Sequence, residues 1–108
     1  MRTRLIILVL AVGLHTGLLA QETISYSKAD SISYAMYLKG DWKGLLRFGK
    51  ESIAGGQDFQ VLRQRMGYAA FMLGNYSACI QHYEKVLKED QYNSMAHNYI
   101  YWSRINLN

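Results

Sequence analysis

Apolar residues recur every three or four positions along the stretch that begins at Tyr76. They are Tyr76, Cys79, Ile80, Tyr83, Val86 and Leu87. This spacing places one apolar stripe along an α-helix. Similar patterns elsewhere predict an all-α fold, with helices near residues 25–39, 42–54, 59–73, 76–89 and 94–106.

A glycine followed by a short polar residue stands between two pairs of these helices. The junctions are Gly40-Asp41 and Gly74-Asn75, and an aromatic residue follows each of them. Glycine can adopt the left-handed conformation that ends a helix. The Asp or Asn side chain can cap the next helix, which contributes about 1 kcal/mol. The junctions are 34 residues apart, so a helical hairpin is predicted to occur twice.

The same offset extends along the flanking helices. It aligns Tyr34 with Tyr68, and Tyr68 with Trp102, on the first helix of each hairpin. It also aligns Leu46 with Ile80 on the second helix. A helical hairpin with this period is typical of tetratricopeptide repeats.

The chain resembles the tetratricopeptide-repeat family most clearly in the stretch GNYSACIQHYEKVLKED. The resemblance implies antiparallel helical hairpins stacked into an α-solenoid. The copies would span about 26–59, 60–93 and 94–108, and the third contains only a first helix. The first copy departs from the family, with Leu45 at a small-residue position and Gly49 at a position that is usually aromatic.

The N-terminal segment has a different composition from the rest of the chain. It begins Met-Arg-Thr-Arg, with arginines at positions 2 and 4, continues as the apolar run LIILVLAV and ends at Ala20. This order is typical of a secretory signal peptide. Cleavage is predicted after Ala20, so residues 1–20 would be the signal peptide and residues 21–108 the repeat domain. The protein is expected to be exported, either to the periplasm or out of the cell.

A retained membrane anchor is the alternative interpretation of this segment. A spanning helix needs about 20 apolar residues. The apolar run here is short, and His15 and two glycines follow it. No stable membrane span is therefore expected after cleavage.

Charge argues against nucleic-acid binding, and the cysteine content excludes a disulfide-stabilised fold. The net charge is +4, and it falls to +2 once Arg2 and Arg4 leave with the signal peptide. Nucleic-acid binding depends on neutralising several phosphates, and the rest of the chain has no basic cluster. No nucleic-acid partner is therefore expected. Cys79 is the only cysteine, so no internal disulfide can form.

An aromatic series on the first helices is the main candidate surface. The resemblance implies that these helices line a concave groove that binds a protein or peptide segment. The groove positions that it implies are Asp30, Tyr34, Tyr37, Gln64, Tyr68, Phe71, Asn98 and Trp102. The set has no lysine or arginine cluster, which argues against the peptide-carboxylate clamps of some family members. The alternative is that several of these aromatic residues only pack one repeat against the next.

Cys79 and His82 are the only pair with the spacing of a catalytic or metal-binding arrangement. A zinc site needs three or four ligands, and His97 is the only other histidine after residue 20. Cys79 is instead expected to fill a small buried position, with His82 toward the helix edge. No enzymatic activity, metal or cofactor is expected.

The expected function is an exported scaffold that binds a protein or peptide segment in the cell envelope. The alternative is an N-terminal structural module, or a truncated fragment, of a longer exported protein with no activity of its own. The last predicted helix contains the aromatic stretch NYIYWSRI. Self-association through that helix is therefore also considered.

Overall fold

A computed structural model describes residues 23–108, which form five α-helices. They are α1 (Tyr26–Lys39), α2 (Trp42–Ala54), α3 (Gln60–Met72), α4 (Tyr76–Glu89) and α5 (Ser94–Leu107). No β-strand occurs within residues 23–108. The predicted all-α fold and its five helices are therefore confirmed for this range. The predicted signal peptide, residues 1–20, lies outside the described residues.

The two predicted junctions have the expected local structure. Gly40 and Gly74 are left-handed, with φ of 70° and 74°. Asp41 and Asn75 each accept a hydrogen bond at Oδ1 from the backbone N–H three residues later, at 3.1 and 3.3 Å. Each junction therefore ends one helix and starts the next with local interactions alone.

Each helix packs against the next one in the chain, and some also pack against the helix two places further on. Each helix contacts the next one, α1 contacts α3, and α3 contacts α5. The first helices of the hairpins thus lie side by side, with α3 in the middle. The main core cluster joins α3, α4 and α5 through Ala70, Cys79, Tyr83, Val86, Ala96 and Ile100. Cys79 is fully buried in it, which confirms its predicted role in the core.

Close approach between helices depends on two glycines. A Cβ on Gly67 of α3 would lie 2.6 Å from Cε2 of Tyr83 on α4. No real Cβ approaches so closely without a shift, so Gly67 allows the helices of this hairpin to touch. Gly49 plays the same part between hairpins, because a Cβ there would overlap the side chain of Met66.

Replacing Gly67 with Ala is expected to lower the free energy of unfolding by about 1–3 kcal/mol, because the added methyl group overpacks against Tyr83. At an uncrowded helical position the same change would stabilise by about 1 kcal/mol. The sign of the change in the free energy of unfolding therefore shows whether close packing or helix propensity dominates. Urea unfolding followed by circular dichroism measures this change. Gly55→Ala is the control for an uncrowded glycine, at the residue that follows α2, since its Cβ would come no closer than 3.4 Å to the Glu51 carbonyl oxygen. A stabilised Gly67→Ala variant would contradict the contact.

Candidate functional site

A recess of about 190 Å³ opens on the side of the molecule formed by the first helices. It is lined by Tyr34, Tyr37, Val61, Gln64, Arg65 and Met95. These residues come from α1, α3 and α5, and α3 contacts both of the other two helices. Three of the eight predicted groove residues, Tyr34, Tyr37 and Gln64, meet there.

Arg65 is a lining residue that the sequence reasoning missed. Its Nη1 donates to Oδ1 of Asp30 at 2.7 Å, to the Asp30 carbonyl oxygen at 3.0 Å and to Oγ of Ser33 at 2.9 Å. Its guanidinium carbon lies 5.1 Å from the ring centroid of Tyr34, within cation–π range. Asp30, a predicted groove residue, therefore positions Arg65 against the aromatic wall. The signal in the sequence that could have revealed it is the spacing of Asp30 and Arg65, which is 35 residues, one more than the repeat period.

Tyr68 belongs to an aromatic cluster between the helices. Its ring meets Tyr37, Trp42 and Tyr99 edge-on, with centroids 5.5, 5.3 and 5.5 Å away. Phe71 joins the same cluster through Tyr99, at 4.9 Å. These two predicted groove residues thus pack one hairpin against the next, as the alternative interpretation held.

Tyr34 and Trp102 keep exposed rings. Tyr34 is 49% exposed beside the recess, and Trp102 is 47% exposed on α5, with Tyr101 at a centroid distance of 5.3 Å. Asn98 borders a separate depression of about 690 Å³ at the start of α5. The eight predicted positions therefore divide among the recess, the interior cluster and the surface of α5.

His82 is buried, so the expectation that it lies toward the helix edge was wrong. Its Nδ1 is 3.1 Å from Nη1 of Arg63. Two further Arg63 nitrogens donate to the carboxylate of Asp58, at 2.7 and 2.8 Å. Burial, and then the positive charges of Arg63 and Lys50, lower the pKa of His82 to about 4. The neutral imidazole accepts the hydrogen bond from Arg63, and the three side chains join the loop before α3 to α4.

Cys79 and His82 do not show the properties of a reactive pair. Burial raises the pKa of the Cys79 thiol, which keeps it protonated, whereas a nucleophile or metal ligand must be a thiolate. Within residues 23–108, no three His, Cys, Asp or Glu side chains come together as a metal site requires.

Within residues 23–108, none of the five helices is long and apolar enough to cross a bilayer.

Comparison with known proteins identifies no relative of this chain. No family model matches the chain, and neither a curated protein nor a solved structure matches it. The relation to tetratricopeptide repeats thus stays a resemblance carried by the 34-residue period.

Stability is expected to fall as the pH drops from about 6.5 to about 4. In this window the unfolded chain binds a proton at His82 and the folded chain does not, so acid favours unfolding. Above pH 6.5 His82 is neutral in both the folded and the unfolded chain, so its contribution to the free energy of unfolding is fully present. By pH 4 the free energy of unfolding has fallen by about 3 kcal/mol. Urea unfolding at pH values on both sides of the window measures the change.

His82→Gln is the matched control for this pH dependence. Glutamine keeps an acceptor for Arg63 but does not titrate, so the variant's stability should change less across the window. Arg63 lowers the pKa of Asp58 from 3.8, which places the loss of that ion pair at lower pH. Equal slopes for the wild type and His82→Gln would contradict a buried neutral imidazole.

Proposed function

We propose that the protein is an exported tetratricopeptide-type scaffold that binds a protein or peptide segment on the face formed by α1, α3 and α5. The supporting observation is the recess at which these helices converge, with two tyrosines from α1 in its wall. Contacts from α1 to α3 and from α3 to α5 are those that stacked hairpins would make. A helical groove of this kind suits an extended or helical segment of a partner.

The recess combines apolar walls with polar groups at defined positions. Tyr34 and Tyr37 supply aromatic surface with polar tips, which are common anchors in protein interfaces. Gln64 supplies an amide that can donate and accept hydrogen bonds. The recess has a volume of about 190 Å³, which exceeds the roughly 150 Å³ of an apolar cavity that holds benzene. One ring-sized or branched aliphatic side chain of a partner would therefore fit.

Arg65 is already ordered before a partner arrives. Its side chain is only 14% exposed, and Asp30 and Ser33 fix one end of the guanidinium. A side chain that is immobile before binding loses little conformational entropy on binding. Arg65 thus holds the Tyr34 ring in place as part of the recess wall before a partner binds. Asp30 contributes indirectly, because it fixes the position of Arg65.

Within this proposal the binding surface is smaller than the predicted groove. Tyr68 and Phe71 are committed to packing between hairpins, so replacing them would disturb the fold as well as the surface. Tyr34 and Gln64 are the better positions for a test.

The double variant Tyr34→Ala/Gln64→Ala is expected to lower partner recovery about tenfold or more, which corresponds to at least about 1.4 kcal/mol of binding free energy. The physical reason is the loss of an exposed aromatic anchor and the amide beside it. Affinity capture from envelope extract, quantified by mass spectrometry, measures recovery. Tyr92→Ala is the control, since Tyr92 is 84% exposed and does not line the recess. Equal recovery with wild type and the double variant would exclude the recess as the binding surface.

Export is tested separately, at the predicted cleavage site. N-terminal sequencing and the intact mass of the exported protein are expected to show a chain that starts at Gln21. Ala20→Lys is expected to block cleavage, because the residue before the cut must be small. A full-length wild-type chain in the membrane fraction would support the retained anchor and contradict cleavage.

A further inference from the structure

The guanidinium of Arg65 is held in place through only one of its nitrogens. Within the described part of the chain, Nη1 makes all the hydrogen bonds of this side chain, to Oδ1 and the carbonyl oxygen of Asp30 and to Oγ of Ser33. Nε and Nη2, which carry the other three N–H groups, have no partner there. Neither nitrogen is among the atoms of residues 23–108 that are buried without a partner, so solvent reaches both. Because Arg65 lines the recess, an occupant can meet this unused edge.

The amide of Gln64 is a second unused polar group in the recess. Gln64 precedes Arg65 on α3 and lines the same space. Its amide makes no hydrogen bond to the other described residues, and it is not among their sealed, unpartnered groups either. An amide offers an oxygen that accepts and two N–H groups that donate. A peptide backbone, with one N–H and one C=O in each residue, complements the amide and the guanidinium edge together.

Charge balance at the recess determines which occupants Arg65 favours. Arg65 is the only charged residue among the six that line the recess, and the Asp30 carboxylate lies 2.7 Å from its Nη1. A fixed negative charge therefore already balances the guanidinium. A carboxylate in the recess would be attracted by Arg65 but repelled by Asp30, and it would lose hydration as well. A cationic occupant would meet the guanidinium itself. A neutral carbonyl avoids both repulsions and still accepts a charge-assisted hydrogen bond.

The other lining residues surround the space with apolar surface. Tyr34 and Val61 are 49% and 41% exposed, so much of their apolar surface is still in contact with water. Tyr37 and Met95 add a ring from α1 and a flexible thioether from α5. Methionine adapts its shape to the group that packs against it. An aliphatic or aromatic side chain that covers these residues gains free energy in proportion to the apolar area removed from water.

We propose that the recess selects an uncharged, apolar residue of the partner, whose side chain packs on Tyr34, Val61 and Met95 while Arg65 and Gln64 hold the adjoining peptide groups. A carbonyl oxygen accepts from Nε or Nη2 of Arg65, and an N–H donates to the amide oxygen of Gln64. The selection rests on the proposed function, in which a partner segment binds on this face. It adds that acidic side chains, basic side chains and a terminal carboxylate are disfavoured in the recess.

Titration of the ¹⁵N-labelled exported protein with small probes tests the selection. The main probe is N-acetyl-leucinamide, which has an aliphatic side chain, two amide groups and no charge. It is expected to shift the NMR signals of the Arg65 Nε–H and the Gln64 side-chain amide until they saturate. N-acetyl-leucine, which ends in a carboxylate, and the cationic N-acetyl-lysinamide are expected to bind about fivefold or more weakly. N-acetyl-glycinamide is the control for the amide groups alone and should leave these signals nearly unchanged.

Arg65→Lys separates recognition of the occupant from support of the recess wall. Lysine can keep the ion pair with Asp30, but its compact ammonium cannot also offer the second edge of a guanidinium. The variant is expected to keep its helices, which circular dichroism checks, and to bind N-acetyl-leucinamide about fivefold or more weakly than the wild type. Arg47→Lys is the matched control, since Arg47 is exposed on α2 and does not line the recess. It should bind the probe like the wild type.

Three results would overturn the selection. The first is a charged probe, or the glycine probe, that binds as tightly as N-acetyl-leucinamide. The second is the lack of any saturable shift at Arg65 and Gln64, and the third is unchanged binding by Arg65→Lys. All three leave the proposed function to its own test, because partner capture that depends on Tyr34 and Gln64 would still show binding on this face. Conversely, a recess that binds the probe while capture is unchanged in Tyr34→Ala/Gln64→Ala would contradict the proposed function alone.

Discussion

The contact between the ring of Tyr83 and the bare backbone of Gly67 sets the spacing on which the other helices depend. Tyr83 is fully buried, and its ring also stacks on Tyr99 of α5 at 5.6 Å and an interplanar angle of 10°. Tyr99 in turn meets Tyr68 and Phe71 on α3. One aromatic side chain on α4 thereby fixes α3 on one side and α5 on the other. Because no internal disulfide can form, dense packing of this kind must hold the described chain together.

Two arginines that are two residues apart on α3, Arg63 and Arg65, make similar ion pairs with different consequences. Arg63 lies between Asp58 and the buried His82, so it stabilises the joint between the hairpins and makes that joint sensitive to acid. Arg65 pairs with Asp30, which is 43% exposed, and such exposed ion pairs contribute only about 0–1 kcal/mol. Its main effect is therefore positional, since it holds a planar cation against Tyr34.

Local features of the fold were predictable because neighbouring residues determine them. The helix bounds, the left-handed Gly40 and Gly74, and the caps at Asp41 and Asn75 all follow from short-range chemistry. Burial of repeat-equivalent residues was not predictable in this way. Tyr68 lies on the middle helix, between α1 and α5, and is enclosed by rings from both. Its equivalent Tyr34 lies on α1, which among the described helices contacts α2 and α3 alone, and it stays half exposed.

Long-range partners explain the remaining differences at the candidate site. The helical pattern of α4 placed His82 at an edge, but Arg63 reaches across from α3 and encloses it. Arg65 was missed because its partner Asp30 lies on another helix, out of register with the repeat by one residue. A periodic sequence predicts which positions are equivalent, whereas the number of neighbours around each copy decides which of them pack and which bind.

The small size of the recess has a consequence for any function in binding. A site of about 190 Å³ admits one anchoring side chain, and a single anchor gives modest affinity. Affinity can rise without new contacts when two sites act on one partner, because the second binding event becomes intramolecular. A short repeat array with few groove residues therefore gains affinity only where a second contact lies within reach of the same partner.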